Sequence, residues 1–236
     1  MNKALFFLLV LMLFASAALA KAPVNKTLRI GVLDTGLDLS DPRFQDVLCP
    51  KGHRDFTGTG IEDSVGHGTH VAGIIKEVAG KGNYCLVILK YFDYATHKDS
   101  ELYEKRALEY AAKQKIDIIN LSGEGSDFDE VEFNILTFTP KMLLIGAVGN
   151  GGKYQRGYPG CLGLSNTRCV GSAIDGVPVI SSNYGPWVNV WQNGVNVFST
   201  LPNGKMGYMS GTSMATAIET GTEIRRRLNN VRTSTK

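Results

Sequence analysis

The chain has 236 residues, 43% of them apolar and 20% charged, with a formal net charge of +3. This composition excludes a fibrous or intrinsically disordered chain, and the length suits one large domain. The charge is weak and no Lys/Arg cluster is interleaved with aromatics, so nothing points to nucleic acid; the one basic run, Arg225-Arg226-Arg227, reads as a helix-end complement to the dipole.

At the amino end, Lys3 precedes a short apolar stretch from Ala4 to Phe14, and Ala18-Leu19-Ala20 forms a small-x-small cleavage site. This is a signal-peptide pattern over residues 1–20. It predicts a mature chain from about Lys21, exported to the periplasm or the medium and free of the membrane after cleavage. Export puts the four cysteines, Cys49, Cys85, Cys161 and Cys169, in an oxidising setting. Three pairings are open; the short Gly/Ser/Asn-rich stretch between Cys161 and Cys169 favours that pair and leaves Cys49 with Cys85. No C-x-x-C spacing supports zinc.

From Leu28 to Leu33 an apolar run predicts a buried strand, with Asp34 at its carboxyl end. A polar loop follows to about Asp63. A helix is expected from His67, with Val71, Ile74, Ile75 and Val78 on one face and Gly80 and Gly82 ending it. Cys85 to Leu89 is a second strand. Ser100 is expected to cap a helix carrying Tyr103, Ala107, Tyr110 and Ala111. Ile116 to Leu121 is a third strand, a helix lies within Asp129 to Phe138, and Met142 to Val148 is a fourth strand running into Gly149-Asn150-Gly151-Gly152. Short strands are expected at Cys169–Ala173, Val177–Ser181, Val188–Trp191 and Val195–Phe198. A last helix runs from about Ser213 to Leu228, and a polar tail begins near Asn229. Strands alternating with helices predict an α/β fold, a mostly parallel central sheet with helices on both faces. Chemistry in such folds gathers at the carboxyl ends of strands, where Asp34 and Asn150 both fall.

Three segments carry the chemistry: Gly31-Val32-Leu33-Asp34-Thr35-Gly36, Gly66-His67-Gly68-Thr69-His70-Val71-Ala72-Gly73 and Gly211-Thr212-Ser213-Met214-Ala215-Thr216-Ala217. Taken singly, each residue has a plain structural reading. Asp34 could cap a turn, Ser213 could cap a helix and Asn150 could sit in a turn. His67 and His70 are three apart and lack the Glu and i+4 spacing of a metalloprotease helix, so metal has no support and His70 reads as structural. Together and in this order, the three segments resemble the subtilisin family, or subtilases, over nearly all of the chain from Leu28 to Gly221.

The resemblance implies a subtilisin-like fold and a serine endopeptidase working through an acyl-enzyme on protein or peptide substrates. It makes Ser213 the nucleophile, His67 its base and later its acid, and Asp34 the group that orients His67. Asn150 and the Ser213 backbone N–H become the oxyanion donors. Asn120 to Gly125 becomes the strand that pairs with an extended substrate, so Ser122, Gly123, Glu124 and Gly125 are candidate substrate-binding residues, and Gly149 with Gly151 keeps a first specificity pocket open. Glu124 stands where the family typically has glycine; two readings are open, attraction of basic substrate side chains or a solvated loop charge.

The chain departs from the family pattern in several places. Ala217-Ile218-Glu219 follows the nucleophile where Pro-His is usual, and Gln192-Asn193-Gly194 replaces an Ala-Pro-Gly stretch. Only Lys21 to Thr27 lies between the cleavage site and the first strand, so folding is expected unaided or with a partner acting in trans, a foldase or inhibitor. Arg43 occupies the position of a usual calcium-binding aspartate, and Val78-Ala79-Gly80-Lys81 leaves no room for the ligand loop, so no cofactor is expected and the disulfides would serve as staples. The expected form is a monomer. The rival readings are a narrow serine esterase, disfavoured because Ser213 lacks a Gly-x-Ser-x-Gly setting, and a non-catalytic binding module, disfavoured because every triad member is present.

Overall fold

The computed structural model describes residues 26–233, so the expected signal peptide and the start near Lys21 lie outside the described residues. In chain order the elements are β1 (Leu28–Asp34), β2 (Arg54–Asp55), α1 (His67–Ala79), β3 (Tyr84–Lys90), α2 (Ser100–Lys113), β4 (Ile118–Leu121), α3 (Glu130–Thr137), β5 (Leu143–Ala147), β6 (Thr167–Ile174), β7 (Val177–Pro178), β8 (Val190–Asn193), β9 (Val197–Thr200), β10 (Met206–Met209) and α4 (Thr212–Thr233).

The apolar runs become the inner strands because both of their faces are covered. The main sheet has eight strands in the order β2-β3-β1-β4-β5-β6-β7, with β8 also paired to β6. Every pairing in it is parallel except β6 with β7. Alternate residues of one strand feed opposite cores. Ile30 and Val32 of β1 join Leu86 and Ile88 of β3 under α1 and α4, packed with Val71, Ile75, Met214 and Ile224. Leu33 joins Val87 and Leu89 on the other face, against Ala107, Leu108 and Ala111 of α2 and Leu136 of α3. Leu108 is wholly buried, and truncating such a residue to Ala typically costs about 2–5 kcal/mol.

Both disulfides favoured from the sequence are formed, Cys49–Cys85 and Cys161–Cys169. No described helix is long and apolar enough to cross a membrane. Four local expectations need correction. Ser100 is the first residue of α2 rather than its cap; a 3-10 turn over His97–Asp99 leads straight into the helix, and Asp99 makes no side-chain cap bond. Residues from Asn229 to Thr233 are not a separate tail but continue α4. β10, unanticipated because Met206–Met209 carries little apolar alternation, pairs antiparallel with β9 in a separate hairpin. Arg226 and Arg227 bond the Glu223 carboxylate, together with Arg168, rather than serving only the helix end.

The sheet register decides where the site lies. Leu33 of β1 is level with Leu121 of β4, and Leu121 with Gly146 of β5. The segments leaving these strands, at Asp34, Ser122 and Val148–Asn150, therefore emerge side by side at one sheet edge.

Candidate active site

Asp34 ends β1 and is only 4% exposed. Its Oδ1 accepts the Thr35 N–H at 2.8 Å and lies 2.7 Å from His67 Nδ1. That contact fixes the imidazole with Nδ1–H towards the carboxylate and Nε2 available outward. His67 opens α1, and its side chain keeps 29% exposure towards the cleft. Burial disfavours protonation of His67, but the charge and hydrogen bond of Asp34 outweigh it, helped by Asp63 and Glu124, and its pKa lies above the ordinary 6.5.

Two glycines let the histidine come this close. Gly66 sits at φ +93, a left-handed conformation that turns the chain into α1. A Cβ on Gly68 would lie 2.5 Å from the Gly36 carbonyl and 3.2 Å from the Asp34 Cβ, so the helix start can pack on the Asp34 loop only with glycine there.

The residue that organises this junction was not singled out from the sequence. Asp63, 8% exposed, accepts at Oδ1 from the Thr35 hydroxyl, Val65 N–H and Gly66 N–H, and at Oδ2 from the Thr69 N–H and hydroxyl. The Thr35 hydroxyl in turn accepts the Gly68 N–H at 2.8 Å. Asp63 thus satisfies donors of the first turn of α1, the work of a cap displaced a few residues upstream. An aspartate just before a helix start was the available signal. His70 is wholly buried and contacts the Gly207 carbonyl at 3.2 Å; burial lowers its pKa, consistent with a structural role.

Ser213 lies in the first turn of α4 and is 8% exposed. Its hydroxyl donates to the Ser122 carbonyl at 2.8 Å, not to His67. The Ser122 hydroxyl donates back to the Ser213 carbonyl at 3.1 Å. Behind it the Asn120 amide donates to the Ser122 hydroxyl, and the Thr220 hydroxyl donates to Asn120 Oδ1, both at 2.9 Å. Ser122 therefore acts through its side chain as well as its backbone, which the sequence reading did not anticipate.

Asn150 follows β5 in its glycine-rich turn. Its Oδ1 accepts the Thr212 N–H at 2.9 Å and the Thr212 hydroxyl at 3.2 Å. With the oxygen so held, the amide NH2 is left as a donor. The Ser213 N–H, in the orphan first turn of α4, has no acceptor among the described residues. Two unpaired N–H donors thus come from adjoining segments, where an electron-rich oxygen would be stabilised.

The substrate-binding candidates divide. Ser122, Gly123, Glu124 and Gly125 line a cavity of about 610 Å3 that also touches Asp34 and His67. Gly149 lies outside this cavity, in the turn after β5. At φ +104, a Cβ there would lie 2.5 Å from Asn183 Nδ2 and 2.9 Å from Glu124 Oε1, so the glycine accommodates packed neighbours. The pairing strand is shorter than expected. Gly125 exchanges both backbone hydrogen bonds with Tyr158, and the Ser122 carbonyl is taken by Ser213. No described residue bonds the N–H or C=O of Gly123 or Glu124. The Glu124 carboxylate folds back over Gly149. Burial raises its pKa, offset in part by a hydrogen bond from the Asn150 backbone N–H and by His67.

Arg43 stands at the position of the usual calcium-binding aspartate. The Arg43 guanidinium pairs with Asp41 at 2.6 Å and donates to the Leu201 and Lys205 carbonyls at 2.6 and 2.7 Å. A fixed cation already links the two loops, and α1 runs unbroken from His67 to Ala79.

Comparison with known proteins matches this frame. The family model for the subtilase family covers residues 25–222. The chain is 34% identical over 219 residues to the cell wall-associated protease of Bacillus subtilis (strain 168), covering 86% of this chain and 24% of that protein. It is 31% identical over 217 residues to the major intracellular serine protease of the same organism, covering 83% of this chain and 67% of that protein. The chain therefore spans about a quarter of the length of the first relative and two thirds of the second. The solved structure of the prenylagaramide maturation protease PagA superposes with a TM-score of 0.74 at 26% identity, covering 89% of this chain and 78% of that one. With the parallel sheet, the Asp34–His67 contact and Ser213 at the start of α4, the match over most of its length makes this chain a member of the subtilase family.

Proposed function

We propose that this chain is a secreted serine endopeptidase that hydrolyses peptide bonds through an acyl-enzyme, with Asp34, His67 and Ser213 as its triad. The observation that carries this is the 2.7 Å Asp34–His67 contact beside the cavity whose wall, Ser122, holds Ser213. An extended peptide pairs with the free N–H and C=O of Glu124 and presents its carbonyl near Asn150 and Ser213. The Ser213 hydroxyl turns away from the Ser122 carbonyl and gives its proton to His67 Nε2 as Oγ bonds the carbonyl carbon. Asp34 stabilises the imidazolium. The oxyanion takes hydrogen bonds from the Asn150 amide and the Ser213 N–H. On collapse, His67 protonates the leaving amine and the peptide bond breaks. Water, deprotonated by His67, then cleaves the ester and restores Ser213.

No metal enters these steps, and Arg43 stands where a stabilising cation would otherwise be sought. Export is supported by the pattern of residues 1–20 and by the two disulfides, which an oxidising compartment favours. A maturation role, such as the name of the prenylagaramide maturation protease PagA gives that protein, is a narrower form of the same chemistry.

The test is covalent labelling of the purified protein with a fluorophosphonate probe, read by intact and peptide mass beside a Ser213→Ala control. Labelling at Ser213 alone is the expected result. A folded protein that takes no label would overturn the activated-nucleophile reading.

A further inference from the structure

Two carboxyl groups beside the site have no part in this chemistry. Glu104 on α2 and Glu132 on α3 are each 8% exposed. The two carboxyls share one hydrogen bond, which needs a proton on one of them, and no other described residue donates to either. The nearest cation, Lys105, is committed to Asp129 at 2.7 Å. Burial, the largest influence, raises the pKa of both, that of Glu132 to about 7. Buried carboxyls without a counter-charge are costly, and apolar residues of similar size would serve a structural core better.

The pair is not sealed within the core. Glu104 lines the cavity beside His67, with Tyr91, Phe92 and Tyr94 on its walls. It also lines an adjoining cavity of about 130 Å3 with Glu132. A second buried polar group faces the same space. Tyr91 is 7% exposed and lines the larger cavity, and no described residue hydrogen-bonds its hydroxyl. Gly123 leaves that hydroxyl accessible, since a Cβ there would lie 2.2 Å from it. The two adjoining cavities thus offer two acidic groups and a phenol oxygen, and the lysine on their lining, Lys105, is held by Asp129. What is missing is a guest with a positive charge and several N–H donors.

The free backbone groups of Gly123 and Glu124 border this cavity. A strand pairing there turns alternate side chains into it and the others to solvent. We propose that Glu104 and Glu132 form the recognition pocket for a lysine or arginine side chain of the substrate, on the acyl side of the scissile bond. Tyr91 supplies a neutral acceptor at the same pocket. The assignment rests on the peptidase reading for its substrate but can be tested apart from it.

The experiment uses a series of peptides in which one lysine is moved through the positions before the cleaved bond, each matched to a norleucine peptide. Affinity is read by fluorescence anisotropy on the Ser213→Ala protein, and kcat/KM on the unmodified one. A preference for lysine of about tenfold or more at one position is expected, because the norleucine peptide leaves the buried carboxyls unpaired. The lysine-to-norleucine ratio should collapse in Glu104→Gln and in Glu132→Gln, each shown folded by its thermal melt. A ratio near one at every position, or a preference that survives in both variants, would overturn the pocket. If no peptide is cut and no probe reacts, the peptidase reading fails, while the affinity ratio still decides whether the carboxyl pair captures a cation.

Discussion

Ser213 and Ser122 hold each other through two hydrogen bonds, hydroxyl to carbonyl in each direction, at 2.8 and 3.1 Å. In the proposed mechanism the Ser213 hydroxyl is stored on a backbone acceptor and rotates to meet His67. Ser122 acts as a positioning residue with its side chain and as a resting acceptor with its backbone. Ser122→Ala removes the first of these and leaves the Asn120 amide without its partner. A loss of about 1 kcal/mol in stability is expected, the typical value of one hydrogen bond. Labelling of Ser213 by the probe should slow while the pH profile stays in place. Denaturant titration and labelling rates check both.

As the proposed base, His67 must be neutral to take the Ser213 proton. Its pKa lies above 6.5, so the acid limb of the kcat/KM profile should fall on the alkaline side of that value. Asp34→Asn withdraws the charge that outweighs burial, so the limb should move to lower pH. It should also cut kcat by about 10^4, the scale seen when a triad carboxylate is replaced by its amide. A pH–rate series on both proteins is the measurement.

Asn150→Ala removes one donor from the proposed oxyanion position and frees the Thr212 N–H and hydroxyl from their acceptor. A loss of about 10^2–10^3 in kcat is expected with KM little changed, the magnitude measured for the matching donor of a subtilisin. A variant that raises KM and leaves kcat intact would assign Asn150 to substrate binding instead.

The Glu104–Glu132 pair ties stability to pH. Glu101, Glu104, Lys105 and Asp129 all face Glu132, and burial with Asp129 outweighs Lys105 to hold its pKa near 7, above the ordinary 4.5. Between these values the folded chain binds more protons than the unfolded one, so stability should fall as pH rises through that window. The cost is absent below about pH 4.5 and complete above about pH 7. Glu132→Gln should flatten this slope, gaining about 2 kcal/mol relative to the parent at the alkaline end. Urea titrations across the range check it.

Arg43 and the disulfides should carry the stabilisation that calcium gives elsewhere. Arg43→Met loses the bonds to Asp41, Leu201 and Lys205 and should cost about 1–3 kcal/mol. Reduction opens Cys49–Cys85, which closes a span of 36 residues worth about 3–4 kcal/mol by loop entropy. A melting temperature lowered by reductant and untouched by chelator is the expected pair of results. A large chelator effect would show that a metal site exists.

The sequence by itself determined the parallel sheet, because Leu28–Leu33, Cys85–Leu89 and Met142–Val148 are apolar on both faces and can be satisfied only inside two helical layers. The resemblance of its three ordered motifs to the subtilases made Asp34, His67 and Ser213 the expected triad, and the structure brings Asp34 and His67 into contact. The sequence did not reveal Asp63, whose five donors come from positions 35 to 69 and meet only when the loop closes on α1. Nor could it show that Gly149 packs on Asn183 and Glu124, since those neighbours arrive from distant segments. Nothing in the linear pattern singles out Glu104 or Glu132. Only the packing of α2 against α3 brings the carboxyls together, strips them of water and turns them towards the cleft. Periodicity reports which face of an element is buried; what a polar atom meets there depends on long-range contacts that no local pattern encodes.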